Sequence, residues 1–242
     1  MKVSANKKIL NASPLEWGGI KFKSKLEVMV YRTLLDNGII AQYEPTKYII
    51  WEGYKPRAKF YDKDKSGALR LNDKKIISIT YTPDFVFDLG VLRVFIEVKG
   101  MENDVFYIKK KMFRKYLEEL TDCIPLYFEI YSKRQLIQAI QLIQAYNKDC
   151  MGRIETIKNL LSSLIIKGDT KLASTFLEKR DFLSLKEIVD ANVYKAEKTM
   201  PGLFNSEIKT TEEEENVYNK LKSLQELVNN FANDFIDPEI NE

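Results

Sequence analysis

The stretch Val91-Leu92-Arg93-Val94-Phe95-Ile96-Glu97-Val98-Lys99 constrains this chain more than any other. It is nearly all apolar, and its charges gather at its end. A strand with one face in water alternates polar and apolar residues. A run without alternation predicts a central strand buried on both faces. Both faces then need cover, so an α/β architecture is expected. Glu97 and Lys99 are two apart and share one face. Gly90 turns the chain into this strand, and Gly100 ends it and permits close approach of a ligand.

Upstream, residues 76–90 read as one strand bent at Pro83, because proline cannot donate to a ladder and marks an edge or a bulge. Residues 39–51 alternate and read as a strand interrupted near Pro45. Leu26, Val30 and Leu34 recur at helical spacing, so a helix is predicted from Ser24, stopped by Asn37-Gly38. Downstream come a helix over 105–120, a strand over 125–131 and a helix over 134–147. The order is α-β-β-β-α-β-α. After Gly152 only helices are expected, over 154–167, 170–179, 184–198 and 212–235. Gly168-Asp169, Arg180-Asp181 and Met200-Pro201-Gly202 separate them. Three regions follow: an arm over 1–19, with Leu10, Leu15 and Trp17 to order it, an α/β domain over 20–150 and a helical part over 151–242.

Composition excludes several chemistries. The 242 residues include no histidine, so Ser–His and Cys–His catalysis is impossible and the commonest zinc ligand is missing. Catalysis would have to come from carboxylates, lysines, tyrosines or a hard metal held by oxygen. Cys123 and Cys150 have neither metal-ligand spacing nor a disulfide framework, which suits a reduced, cytoplasmic protein. The basic N-terminus lacks the apolar run of a signal peptide, and no stretch is long enough for a membrane span. Residues 1–150 hold 26 Lys and Arg against 18 Asp and Glu, a net of +8, and the remainder of the chain is −5. A basic first part fits a polyanion; two ordinary solvated surfaces would look the same.

The acids are placed for chemistry. Asp84 follows Pro83, Glu97 lies near the end of the next strand, and Glu27 borders the buried face of the first helix. Carboxylates converging from separate elements repel one another, and a divalent cation relieves that repulsion. Glu27 also has a structural reading. Ser24-x-x-Glu27 is a capping box, in which the glutamate accepts from the Ser24 backbone N–H. The polar insert 52–75 reads as a loop or hairpin. Its Lys55, Arg57, Lys59, Lys63 and Lys65 are available to phosphates or simply solvated. Lys109, Lys110, Lys111, Arg114 and Lys115 make the 105–120 helix strongly basic, with Phe106, Lys110, Phe113 and Leu117 on one side.

These residues resemble the PD-(D/E)XK nuclease superfamily, and within it the phage endonuclease I and Holliday-junction-resolvase type. Phe22-Lys23-Ser24-Lys25-Leu26-Glu27, Tyr81-Thr82-Pro83-Asp84-Phe85 and Ile96-Glu97-Val98-Lys99-Gly100 carry the likeness, over about residues 20–135. The Gln-x-x-x-Tyr motif of RecB-like exonucleases is absent from 105–120. The resemblance implies a restriction-endonuclease-like α-β-β-β-α-β core with a mixed sheet, followed by the helical appendage. It implies that Asp84, Glu97 and Glu27 are metal ligands and that Lys99 is the catalytic lysine. Mg²⁺ would be the cofactor, with Mn²⁺ able to substitute.

The activity expected is endonucleolytic hydrolysis of branched or otherwise structured DNA, by a protein of a phage or another mobile element acting in the host cytoplasm. The basic residues of the insert and of the 105–120 helix would hold the DNA backbone. Two alternatives remain at this stage: a sequence-specific restriction or transposon-end nuclease subunit, and a non-catalytic nuclease-fold component of a virion or DNA-processing assembly. Residues 151–242 are expected to support a homodimer or a protein partner. A helix-turn-helix over 170–198 is disfavoured by its charge.

Overall fold

The computed structural model describes residues 15–100, 104–120, 122–164, 169–179, 181–199 and 211–236. The expectations about Leu10, about Gly168 and Arg180 as separators and about Met200-Pro201-Gly202 lie outside these residues. The architecture is mixed α/β with a C-terminal helical region. The chain divides into two compact units. The first holds the described residues up to Phe87, with Phe95–Leu117 and Tyr127–Ile137. The second holds Asp88–Val94, Glu118–Leu126 and the residues from Gln138 onward.

The first described residues form a hairpin, and most of the expected arm lies outside the described residues. β1 (Leu15–Trp17) pairs antiparallel with β2 (Ile20–Phe22). Gly18 and Gly19 both have positive φ, the backbone that a two-residue hairpin turn requires. Helix α1 (Lys25–Asp36) starts at Ser24, whose Oγ accepts from the Glu27 N–H at 3.2 Å. It ends in a Schellman turn. Gly38 adopts φ +74, the Ile39 N–H bonds to the Leu34 carbonyl, and the Gly38 N–H bonds to that of Leu35. Val30 and Leu34 are fully buried, as their spacing demands.

The interruption expected near Pro45 is present, and the strand expected over 76–90 is split as well. Residues 39–51 form β3 (Gln42–Tyr43) and β4 (Tyr48–Trp51), and residues 76–90 form β7 (Ile79–Tyr81) and β8 (Phe85–Leu89). β4 pairs with β7, whereas β3 pairs with β8. The chain changes partner at Glu44 (φ +44) on one side and at Pro83-Asp84 on the other. Pro83 therefore ends a strand instead of bending it. Between the two pairs stands a separate ribbon, β5 (Phe60–Lys63) with β6 (Leu69–Asn72), so the insert is a hairpin.

Strand β9 (Leu92–Val98) is the expected central strand, in a sheet ordered β10-β9-β8-β3. Val94, Phe95 and Ile96 are fully buried. Arg93 is a charge near the start of the run, away from the end where charges are expected to gather. It is half-buried and paired with Asp88 at 2.9 Å and Asp122 at 2.8 Å. β10 (Ile124–Ile130) lies parallel to β9, as the bonds Ile124 N–H to Val91 and Lys99 N–H to Ile130 require, and β3 is antiparallel to β8, so the sheet is mixed. Helix α2 (Asp104–Leu117) buries Phe106, Phe113 and Leu117. Phe113 stacks on Tyr81 at 4.3 Å and meets Phe95 edge-on at 5.5 Å. Aromatic burial of this size stabilises by roughly 2–3 kcal/mol per ring.

The helices are α3 (Lys133–Ser163), α4 (Asp169–Lys179), α5 (Phe182–Thr199) and α6 (Glu212–Ile236). The break expected at Gly152 does not exist, because α3 runs through it. Gly152 weakens a helix by about 1 kcal/mol relative to alanine. Burial of Cys150, Ile154, Ile157 and Leu161 along one face outweighs that. α5 packs on α6 through Phe182, Leu185, Val189 and Val193 on one helix and Leu221, Leu224, Val228 and Phe231 on the other. No described helix is long and apolar enough to cross a membrane.

Candidate active site

The first unit contains all four residues of the expected constellation. Asp84 sits just before β8, Glu97 and Lys99 stand at the end of β9, and Glu27 lies in the first turn of α1. All three carboxylates are buried, with relative exposures of 8%, 4% and 6% for Asp84, Glu97 and Glu27. Fully buried acids are rare unless something compensates them, so each requires an account.

Glu27 has its account in the fold. Its Oε1 accepts from the Ser24 hydroxyl at 2.8 Å. Its Oε2 accepts from the Lys23 N–H at 2.9 Å and from Tyr43 Oη at 2.7 Å. The capping reading is right in kind, but the backbone donor is Lys23 and not Ser24. Tyr43 arrives from β3, and no local pattern announces that partner.

Asp84 is less well compensated, and Glu97 is bonded at both oxygens yet still raised. The Asp84 Oδ2 accepts from the Val98 N–H at 2.7 Å, which ties it to the strand carrying Glu97. Its other oxygen takes no hydrogen bond among the described residues. Burial, then the charge of Glu97, pushes the Asp84 carboxyl up to about 8, against the pull of the Val98 N–H. The charge of Glu27 acts in the same direction, so all three acids are in electrostatic reach of Asp84. Glu97 is raised as well, by burial. Lys99 opposes that rise through an ion pair at 2.5 Å, and Tyr81 Oη opposes it through a 2.6 Å hydrogen bond. Tyr81 in turn lies 3.1 Å from Tyr127 Oη. Burial and the Glu97 charge raise the Tyr81 phenol far above its usual range, so it remains a donor. The Lys99 ammonium also sits 4.2 Å from the centre of the Phe106 ring, which holds the amine at Glu97's shoulder.

A second amine stands at the rim. Lys23 pairs with Glu44, whose backbone N–H bonds to the Asp84 carbonyl at 2.8 Å. Burial lowers the Lys23 pKa. The Glu44 hydrogen bond and the charges of Glu44, Asp84 and Glu27 outweigh that and raise it. Lys23, Tyr43, Glu44, Tyr81 and Tyr127 are therefore site residues that sequence reasoning assigned no role. Lys23 and Tyr81 lie inside the quoted motifs, and the motifs were the only available signal.

The donor set is all oxygen, which suits a hard divalent cation such as Mg²⁺ or Mn²⁺. Among the described residues no group of three or more Asp, Glu or Cys side chains forms a ready-made metal cage. Asp84 and Glu97 offer a two-carboxylate site, and Glu27 is held by its own partners. Mg²⁺ is commonly bound by one or two carboxylates, with water and substrate phosphate filling the rest.

The expected DNA-holding residues divide by environment. Lys55, Arg57 and Lys59 are exposed. On α2, Lys110 and Arg114 both pair with Glu129, at 2.8 and 3.3 Å, and Lys109 bonds to the Thr80 carbonyl at 2.9 Å. Lys111 is exposed and lies 4.5 Å from the Tyr107 ring centre, and Lys115 is exposed.

No curated protein and no solved structure matches the chain. One family model does, over residues 7–129, a stretch that includes Glu27, Asp84, Glu97 and Lys99. Its description is a protein of unknown function, DUF1064, and since it spans just over half of the sequence, the chain belongs to that family.

Proposed function

We propose that this chain is a Mg²⁺-dependent endodeoxyribonuclease with a restriction-endonuclease-like core of the PD-(D/E)XK type, acting on branched or otherwise structured DNA in the cytoplasm. One observation carries the reading. Two buried carboxylates, one pushed up to about 8, adjoin a lysine that the fold pins against one of them. A purely structural role would have left Asp84 either solvated or bonded at both oxygens, as Glu27 is.

When bound, the cation neutralises charge on the scissile phosphate and makes water a stronger nucleophile. The protein's own groups do the rest. Asp84 and Glu97 would supply the oxygens that hold the ion. Tyr81 fixes the Glu97 carboxylate through Oε2. Lys99 presents an ammonium that orients the attacking water or stabilises charge developing on the phosphate. The exposed cations of the insert and of α2 attract the DNA backbone and make binding strongly salt-dependent. Symmetric cleavage of a junction would need two copies of the site.

Purified protein with Mg²⁺ or Mn²⁺ should be tested on four-way junction, flap, linear duplex and single-stranded DNA side by side. Cleavage of a branched form, lost in Asp84→Asn while DNA binding survives, is the expected result. If the wild-type protein cuts no DNA form with either metal, the nuclease reading fails.

A further inference from the structure

The β5–β6 ribbon is the least explained part of the first unit. In its register Tyr61 opposes Leu71 and Lys63 opposes Leu69, so these four residues share one face. That face is in water: Leu69 is 74% exposed, Tyr61 58% and Leu71 55%. The opposite face, with Phe60 44% exposed, is open too. An isolated two-stranded hairpin is marginal in water. One that turns a tyrosine and two leucines outward presents a contact surface.

Charge identifies the occupant. The insert 52–75 has eight basic and four acidic residues, a net of +4. Two of its acids are consumed locally. Asp64 accepts from Ser66, from the Ala68 N–H and from Arg70, and Asp62 accepts from Asn72. Lys59, Lys63 and Lys65 have no acidic partner among the described residues, and all three are exposed. Lysine is depleted in protein–protein interfaces, whereas phosphates require it. The size agrees. Four residue pairs span about 14 Å, or about four base steps, and a two-stranded ribbon is an element that the major groove of about 12 Å admits.

The ribbon's base is firm. Tyr54 and Ile76 exchange backbone hydrogen bonds at 3.0 and 2.9 Å. Gly53 lies so close to the Ile76–Ser78 backbone that a Cβ there would come within 2.5 Å of the Ile76 carbonyl oxygen. From Ile76 the chain runs directly into β7 and Tyr81.

We infer that the β5–β6 ribbon is a duplex-reading element that enters the major groove of DNA, with Tyr61, Leu69 and Leu71 against base edges and Lys59, Lys63 and Lys65 on the flanking phosphates. This rests on the nuclease reading for the choice of DNA as ligand and adds that the substrate has a duplex arm. The apolar face would favour thymine methyl groups, so a modest sequence preference accompanies structure recognition.

The experiment uses the full-length Asp84→Asn chain, which leaves the probe uncut, and a labelled 20-base-pair duplex followed by anisotropy over a salt series. Lys59→Ala/Lys63→Ala/Lys65→Ala should weaken binding at least tenfold and reduce the salt slope by about 2–3. Tyr61→Ser/Leu71→Ser should weaken binding about tenfold with the salt slope unchanged. In the active background both sets should raise KM for a duplex-armed substrate and leave kcat within about twofold. If both variants bind duplex as tightly as the parent, or the parent binds only single strands, the ribbon inference falls and the nuclease stands. If the parent self-associates and Tyr61→Ser/Leu71→Ser makes it monomeric without changing DNA binding, the face is a contact between copies and the inference is overturned. If wild-type chain neither binds nor cuts any DNA, both readings fall together.

Discussion

One acid in each of the two units is held in an opposite way. In the second, Glu197 on α5 lies at the surface, bonded to Tyr218 at 3.1 Å and Lys222 at 2.8 Å on α6, and its pKa is lowered by the Lys222 hydrogen bond. In the first, Asp84 is buried and its pKa rises to about 8. Water and a flexible lysine suffice to keep Glu197 ionised. Asp84 has one backbone N–H and two neighbouring carboxylates. The first arrangement is ordinary helix-surface chemistry, and the second is of the kind that functional sites hold.

The largest test of this contrast is loss of chemistry. Asp84→Asn and Lys99→Ala should each reduce metal-dependent cleavage at least about a thousandfold, as removal of groups acting on the transition state does. Both should leave the fold's circular dichroism unchanged.

The next test is the pH dependence of stability without divalent metal. Asp84 has a folded pKa near 8 against an ordinary value of 3.8, so the native state binds more protons between those limits. The stability it contributes is fully present below pH 3.8 and is lost as the pH rises through 8, by at most about 1.4 kcal/mol per pH unit, and the loss levels off above that. Glu97, raised in the same direction, adds to the slope. Asp84→Asn should flatten the curve and melt higher than wild type at pH 8.5. The ion competes with the proton, so the rise in Tm on adding Mg²⁺ should be larger at pH 8.5 than at pH 6.5. Chemical denaturation and melting curves at both pH values measure this. A stability that climbs from pH 5 to pH 8 in wild type would remove the raised acid from the account.

Much of this was legible in the chain, for reasons that can be named. The run through Val94, Phe95 and Ile96 had no polar alternation and could only be buried. The first helix carried its own start at Ser24 and its stop at Asn37-Gly38. What was illegible depended on distant partners. Pro83 permits either a bend or an end, and the decision comes from β4 claiming β7 while β3 claims β8. Tyr43 reaches Glu27 and Tyr127 reaches Tyr81 across sheet geometry that no local period encodes. Gly152 reads as a break, and only packing along α3 overrides it. The motif at Tyr81–Phe85 singled out Asp84, which is buried, while concealing that Tyr81 bonds to Glu97.

That tyrosine gives an intermediate effect. Tyr81→Phe keeps the ring on Phe113 and removes only the hydroxyl that bonds Glu97 and meets Tyr127. Orienting partners of this kind typically change metal affinity 10–100-fold when lost. The expected outcome is a Mg²⁺ requirement raised by about that factor, with cleavage at saturating metal reduced far less and stability lowered by about 1 kcal/mol. A metal titration of cleavage rate separates this from a structural defect, which would lower the rate at every concentration.

The smallest effect belongs at the other pole of the comparison. Glu197→Gln removes a charge that is only half-buried, and burial opposes its ionisation less than the Lys222 and Tyr218 hydrogen bonds favour it. Exposed ion pairs contribute little because water and salt already screen them. Its Tm should stay within about 1 °C of wild type, and cleavage within about twofold. If this surface acid proved as sensitive as Asp84, the difference between a half-buried and a buried carboxylate would not be what sets the site apart, and the case for a metal-binding pair at Asp84 and Glu97 would lose its physical basis.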